Sequence, residues 1–311
     1  MKTGPSETAN GGTASGERPP PESPAGIACS VAAYLLWGLF PIYFKAVAAV
    51  PALQVLAHRI VCSLLLLAIV TAGRQGWTTV LAALRSRRLL ATLMLSATAI
   101  ALNWGIFIWA VAAGRVLECS LGYFVTPLVN VLLGVALLGE RLRRIQWLAV
   151  AMAVAGVCHQ IIVVGTVPWV ALALAVSFGS YGLLRKTARI DATSGLFVEA
   201  LLLTPPALAF LIYLAATGGG AFATGDWRMD ILLVAAGPLT ALPLILFVAA
   251  ARRLRLTTVG LLQYITPTGQ LFLAVAIYHE PFAPSILVTF ACIWAALAVY
   301  SVDMLRGAPS R

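Results

Sequence analysis

The stretch YFVTP at residues 123–127 recurs as QYITP at residues 263–267, an interval of 140 residues. Each proline is followed thirteen residues later by a glutamate, Glu140 in the first copy and Glu280 in the second. A gap-free overlay of the 28 residues around each copy gives eight identities. Shared apolar residues are common between unrelated membrane helices, but a Thr-Pro with a glutamate at a fixed spacing is harder to obtain by chance. The recurrence therefore indicates an internal duplication.

The composition is that of a membrane protein. Of the 311 residues, 61% are hydrophobic and 10% are charged, and the mean hydropathy is +0.95. Soluble domains have roughly 45 to 50% apolar and about 25% charged residues. A helix that crosses a hydrocarbon core about 30 Å thick needs about 20 apolar residues, and the missing strand-like alternation favours helices over a barrel. Ten such runs are predicted, at residues 27–45, 53–72, 89–113, 119–139, 145–164, 167–184, 195–216, 231–251, 258–278 and 284–303.

A second pair of similar segments indicates the size of the duplicated unit. WGLFPIYFK at residues 37–45 and FGSYGLLRK at residues 178–186 both contain an aromatic-Gly pair with a lysine seven residues later, at an offset of 141. The predicted units are residues 27–164 and 167–304, with five spans each, after a disordered cytoplasmic tail at residues 1–26. Because five is odd, the second copy enters the membrane from the opposite side. The predicted fold is all-α, with ten transmembrane helices in two inverted five-helix repeats.

The positions of the basic residues predict the orientation. With the N-terminus inside, the outer side holds only four of the 21 lysines and arginines, namely Lys45, Arg59, Arg115 and Arg228. By the positive-inside rule both termini are then cytoplasmic. No soluble element carries a basic face with interleaved aromatics, so the net charge of +10 does not indicate a nucleic-acid partner. The expected partners are membrane lipid and a small-molecule solute, and the sequence leaves the oligomeric state open.

The sequence predicts no cofactor, no metal site and no enzyme. The five cysteines are scattered without Cys-x-x-Cys or His/Cys spacing, which is typical of small packing residues. The motif HExxH is missing, and Ser180 in FGSYG has no histidine that can be assigned to it as a base. No catalytic residue is therefore expected.

Two repeat-related prolines mark the predicted solute pathway. Pro127 and Pro267 fall inside the fourth and ninth predicted helices, where each removes a backbone hydrogen bond. The outcome is either a plain kink or a broken helix that lines a cavity. If the helices are broken, the polar residues on the same helical faces as the prolines would line the cavity. Residues of neighbouring helices would contribute as well, and their alternative role is helix packing. The predicted lining is Trp37, Asn103, Tyr123, Thr126, Asn130, Gln263, Tyr264, Thr266 and Gln270.

Four charged residues complete the candidate set. Arg59 and Glu199 lie inside apolar runs at repeat-equivalent positions, 140 residues apart, where a charge is costly and usually functional or paired. Since they lie toward opposite sides of the membrane, no direct ion pair between them is implied. Glu199 is the predicted proton-coupling residue, because it is the carboxylate deep in an apolar run. Glu140 and Glu280 lie at helix ends, where each is predicted to pair with arginine or cap the following helix, with a gating role as the alternative.

Several segments together resemble a known family. AYLLWGLFPIYFK, LAHRIVCS, NWGIFIWAV, SFGSYGLLRK, GLFVEALLL and GLLQYITP are similar to the RarD-type permeases of the EamA family, within the drug/metabolite transporter superfamily. The run at residues 114–150 is the most specific part, and the similarity extends over residues 27–304. The resemblance implies an inner-membrane permease of ten helices with a central cavity between its halves, lined by helices one, three, four, six, eight and nine. The second copy departs from the first, with His279-Glu280-Pro281 in place of Gly-Glu-Arg, so the two glutamates are not expected to act identically.

The predicted function is secondary-active transport, by alternating access, of small organic metabolites or drugs, with export as the predicted direction. Relatives export amino acids, other metabolites or drugs. A passive facilitator of the same solutes and a non-transport membrane sensor or scaffold remain as alternatives. The short loops argue against the scaffold, which would need large extramembrane surfaces. A polar, largely uncharged lining suits a neutral or zwitterionic solute.

Overall fold

Helices account for all the regular secondary structure of the described residues. The computed structural model describes residues 23–73, 76–138, 143–165, 167–251, 254 and 262–307. Backbone amides and carbonyls have no hydrogen-bond partners in lipid, so apolar segments of this length satisfy them within helices. The helices are α1 Pro24–Ala46, α2 Ala52–Gly73, α3 Trp77–Arg85, α4 Arg87–Ala112, α5 Val116–Leu138, α6 Arg144–Val164, α7 Trp169–Thr187, α8 Ala192–Thr217, α9 Trp227–Ala251, α10 Ile265–Phe272 and α11 Pro284–Gly307.

The described part of the chain has eight helices that are long and apolar enough to cross a membrane, namely α1, α2, α4, α5, α6, α8, α9 and α11. Two shorter apolar helices occupy Trp169–Arg185 and Ile265–Ile277. Each of the ten predicted apolar runs thus overlaps a helix. The short helix α3 was not predicted, and α1 begins at Pro24, inside the segment that was predicted as disordered tail. Proline is well placed there, because a first-turn amide has no intrahelical acceptor.

The helices pack in pairs that are related by the duplication. α1 contacts α9 and α10, and the corresponding α7 contacts α4 and α5; likewise α2 contacts α9, and α8 contacts α4. Three further contacts join a helix to its own counterpart: α2 with α8, α5 with α10, and α6 with α11. Exchanging the two halves of the sequence therefore leaves this set of contacts unchanged. The halves are intertwined through these contacts rather than lying side by side as separate domains.

Close helix contacts depend on small residues. A Cβ on Gly122 would lie 2.8 Å from the Ala171 carbonyl oxygen, and one on Gly237 would lie 2.6 Å from the Cys62 carbonyl carbon. Small residues at such positions let the backbones of α5 and α7, or of α9 and α2, approach closely, which is a main source of helix association in membranes. The large cluster of buried apolar residues lies between the helices, and many leucines and isoleucines on the outer faces are exposed, as expected for a lipid-facing surface.

Candidate functional site

A buried arginine on α2 has no counter-ion among the described residues. Arg59 is 4% exposed, and its guanidinium carbon lies 4.1 Å from the centroid of the Trp104 ring. The rings of Phe40 and Phe44 lie 5.7 Å away. The Nε of Arg59 has no hydrogen-bond partner, and no carboxylate of the described residues lies within 4.0 Å of the guanidinium. The predicted buried charge is therefore surrounded by aromatic faces.

Glu199 on α8 has several polar partners. It is 2% exposed and accepts a short hydrogen bond from the Ser96 hydroxyl of α4. The Tyr181 hydroxyl of α7 lies 3.5 Å from its second carboxylate oxygen, and the Arg185 Nη1 lies 3.7 Å from the first. An ion pair with Arg185 thus balances the charge of Glu199, and α4, α7 and α8 meet at this carboxylate.

The contacts of Arg59 and Glu199 come from matching sequence positions in the two halves. The two residues are 140 positions apart, and the α1 rings that contact Arg59 lie 141 positions before the α7 side chains that contact Glu199. One half therefore places two phenylalanines where the other half places a tyrosine and an arginine. Each predicted repeat therefore has a buried charge at the matching position, while the sign of the charge and its partners differ.

Trp104 lies between the two charged sites. Its ring contacts Arg59, and it also lines a narrow, mostly enclosed cavity to which Glu199 contributes. The other lining residues come from α2, α4, α8 and α9 and are mostly apolar, with two hydroxyls: Ile60, Ser63, Leu67, Ile100, Leu196, Ala200, Leu203, Thr240, Ala241 and Leu244. The Ser63 hydroxyl has no hydrogen-bond partner. The cavity is small in this conformation.

Asn103 joins two of the predicted lining helices. It is 1% exposed, and its amide donates to the Leu174 carbonyl and to the Ser177 hydroxyl, both at 3.0 Å. The Tyr123 hydroxyl donates to the Asn103 side-chain oxygen at 3.3 Å. The structure therefore brings two predicted lining residues, Asn103 and Tyr123, together in a hydrogen-bonded group between α4, α5 and α7.

The other predicted polar residues are in different surroundings. The Thr126 hydroxyl donates to the Gly122 carbonyl of its own helix, and the Thr266 hydroxyl donates to the Tyr34 carbonyl of α1. Gln270 is 1% exposed, and its side-chain oxygen has no partner. Both threonine hydroxyls are therefore already used by backbone carbonyls, whereas Gln270 retains a free acceptor.

Asn130, Gln263, Tyr264 and Trp37 have other surroundings. Asn130 is exposed, Gln263 and Tyr264 are half-buried, and Tyr264 stacks on Phe124 with ring centroids 6.3 Å apart. Trp37 packs against two aromatic rings of its neighbourhood. The nine predicted lining residues thus have different immediate partners, and their shared role as a solute lining stays a prediction.

The two prolines differ in position. Pro127 lies in the interior of α5, as predicted, whereas Pro267 is the third residue of α10 and lies in its first turn. Pro267 therefore starts the described helix without interrupting it, and its carbonyl accepts a hydrogen bond from the Ser120 hydroxyl of α5. A π-helical turn at Leu273–Ile277 follows, and such turns frequently occur at functional sites.

Glu280 caps the first turn of a helix in the other half. Its two carboxylate oxygens accept hydrogen bonds from the amides of Val116 and Leu117, at 2.8 and 2.7 Å. Burial raises the pKa of Glu280, while these two hydrogen bonds and the nearby Lys45 oppose the change. The prediction of a helix cap identified the interaction but assigned it to the following helix; the capped helix is α5. Glu140 lies outside the described residues.

Sequence reasoning missed Ser96, Tyr181 and Arg185 as partners of Glu199, and it did not include Trp104 in the predicted lining. Tyr181 and Arg185 lie within FGSYGLLRK, so the second pair of similar segments contained the signal that could have identified them. No cluster of three or more histidine, cysteine, aspartate or glutamate side chains suited to a metal ion occurs in the described ranges.

The chain is similar to a family of membrane transporters. The model of the EamA-like transporter family matches residues 24–160. An uncharacterized transporter of Vibrio cholerae is 48% identical over 90% of this chain and 93% of its own length. The chain belongs to the EamA transporter family.

Other relatives identify the RarD type. Protein RarD of Escherichia coli is 41% identical over 90% of this chain and 95% of its own length. A Pseudomonas aeruginosa relative named chloramphenicol-sensitive protein RarD is 38% identical over the same share of this chain. A solved crystal structure, 20% identical, covers 94% of this chain and all of its own with a TM-score of 0.60, which supports the fold alone. This chain is a RarD-type EamA permease and a multi-pass membrane protein.

Proposed function

We propose that this permease is a secondary-active transporter that exports small organic solutes by alternating access. The single observation that carries the proposal is the equivalence of the Arg59 and Glu199 sites, one in each half, with Trp104 between them. A solute route between two duplicated halves accounts for buried charges at matching positions near their interface, where such charges would otherwise only cost stability.

The proposed architecture is a pair of inverted five-helix repeats with both termini in the cytoplasm. It is supported by the exchange of helix contacts between the halves and by the placement of the basic residues. In this orientation the contact of Glu280 with α5 closes the outer end of the route. Opening that end requires Val116 and Leu117 to separate from Glu280, while the cytoplasmic end closes.

We further propose that solute contacts include Asn103 and Tyr123, the predicted lining residues that are joined by a hydrogen bond. Gln270, with its free side-chain oxygen, is the third proposed contact. Glu199 is the proposed proton carrier, because it is a buried carboxylate at the junction of three helices. Transport by Glu199→Gln that is still driven by a pH gradient would rule out this role.

A passive facilitator is the second candidate. The observation that favours a facilitator is the ion pair of Glu199 with Arg185. An arginine stabilises the ionised form of a neighbouring carboxylate, which therefore takes up a proton less readily. The two candidates differ in whether solute accumulates against its gradient. Dissipating the proton gradient abolishes accumulation by the coupled transporter and leaves equilibration by the facilitator unchanged.

The experiment that tests transport is an untargeted comparison of extracellular solutes. Cells lacking the protein, cells overproducing it and cells overproducing Glu199→Gln are compared, with membrane abundance measured for each. A solute class that rises outside only with the intact protein supports export. If the protein is present in the membrane and no extracellular solute differs, export is refuted. If solute uptake is also unchanged, transport itself is refuted.

A further inference from the structure

Arg59 carries a charge that the described protein does not balance. Its guanidinium has five N–H donors, and its Nε–H has no acceptor. Tyr43 and Tyr123 are near enough to interact electrostatically, and their hydroxyls donate to the Leu232 carbonyl and to Asn103, but neither hydroxyl oxygen accepts a hydrogen bond from the Arg59 Nε. The side chain is 4% exposed, so water does not replace the missing partners on most of its surface.

The aromatic rings compensate only part of the cost of this burial. A desolvated cation over a tryptophan gains about 2 kcal/mol, and the two phenylalanine rings lie farther away. Removing a single ion from water costs several kcal/mol, and aromatic faces offer no conventional acceptor for the N–H groups. The site is therefore short of an anionic acceptor.

The equivalent site in the second half has no such deficit. Glu199 receives a hydrogen bond from Ser96 and an ion pair from Arg185. The described residues thus provide polar partners for the buried charge of Glu199 but not for the buried charge of Arg59. The difference indicates that the partner of Arg59 lies outside the described part of the chain.

We propose that Arg59 binds the carboxylate of the transported solute, and that the substrates are organic monocarboxylates with an aromatic or apolar body. This inference rests on the proposed function and names its substrate class. A single carboxylate matches the geometry and the single positive charge of a guanidinium, whereas a doubly charged phosphate would leave an uncompensated negative charge in an apolar site. The rings of Trp104, Phe40 and Phe44 suit the apolar body of such a solute.

The test compares solute export by cells that produce the intact protein, Arg59→Gln, Arg59→Lys or the control Arg228→Gln. Arg228 is exposed and also lies against a tryptophan, so its replacement controls for the loss of an arginine–tryptophan contact. Hydrogen bonds to charged groups are worth enough that Arg59→Gln should reduce carboxylate export roughly tenfold or more at equal membrane abundance. Arg59→Lys retains the charge without the paired donors, so its carboxylate export should lie between that of the intact protein and that of Arg59→Gln.

The outcomes separate the two proposals. Export of carboxylate-bearing solutes that is lost in Arg59→Gln and kept in Arg228→Gln supports the inference. Export of solutes without a carboxylate, or export that Arg59→Gln leaves intact, overturns the inference and leaves the proposed function standing. If the intact protein redistributes no solute, the proposed function fails and the inference fails with it.

A second measurement does not need the solute to be known. Arg59→Met removes the buried charge and keeps an unbranched side chain against the rings. The melting temperature of the purified full-length variant should equal or exceed that of the wild type, because losing the cation–ring contacts costs less than burying a charge without an anionic partner. A clearly lower melting temperature would mean that the protein itself satisfies the cation, and it would overturn the inference.

Discussion

Replacing Glu280 by alanine should open the outer end of the molecule and expose a buried thiol. The carboxylate caps the amides of Val116 and Leu117, and Cys119 on the same helix is fully buried. Losing a side-chain helix cap costs about 0.5–2 kcal/mol. If this energy stabilises the closed state of the outer end, the fraction of molecules that are open there rises roughly 2- to 30-fold in Glu280→Ala.

The assay is the rate of Cys119 modification by a membrane-impermeant thiosulfonate in intact membranes. All other cysteines are replaced by serine, and Glu118→Ala serves as the control, since that neighbouring carboxylate pairs with Arg115 and does not cap the helix. When opening and closing are fast compared with modification, the rate follows the open population. We expect faster labelling in Glu280→Ala alone. Equal rates in the wild type and Glu280→Ala would refute the closing role of this cap.

Three further predictions follow from the contacts. Glu199→Ala should lower the unfolding free energy by about 3–5 kcal/mol, since it removes the carboxylate that pairs with the buried Arg185, and the double variant with Arg185→Ala should recover part of the loss in a double-mutant cycle. Gly122→Ala should cost about 1–3 kcal/mol by forcing two helices apart, while Gly105→Ala, whose added Cβ meets one side chain at 3.4 Å, should cost less in the same thermal assay. Because burial raises the pKa of Glu280 above its usual value of 4.5, protonation of this carboxyl adds stability that is fully present below pH 4.5 and is lost as pH rises through the raised pKa, while the hydrogen bonds to Val116 and Leu117 remain. Glu280→Gln should flatten that part of the melting-temperature profile, and an unchanged profile would contradict the assignment.

The helices could be predicted from the sequence because apolar length alone determines them. All ten predicted runs overlap helices of the structure, and the capping role of Glu280 followed from its place at a helix end. The helix that it caps could not be predicted, since Val116 lies 164 positions away and the contact depends on how the halves pack. The short helix α3 was missed because it is too short to span a membrane, the length on which the prediction was based.

The candidate site could be predicted only in part. Arg59 and Glu199 were found from their depth in apolar runs, a property of local sequence. Whether each charge has a partner depends on neighbouring helices: Ser96 reaches Glu199 across 103 positions, and nothing comparable reaches Arg59. The polar lining was predicted from helical faces, yet Thr126 bonds a carbonyl of its own helix, a local alternative that the sequence allowed, and Thr266 bonds the Tyr34 carbonyl of α1, which only the packing determines.

The most direct test of the central claim uses the purified full-length protein in liposomes. Vesicles are loaded with a small-molecule extract of cells that produce the protein, and the solutes that leave are identified against protein-free vesicles and vesicles with Arg59→Gln. The account predicts that a defined set of organic solutes leaves only through the intact protein. Identical solute release from all three kinds of vesicle would contradict it.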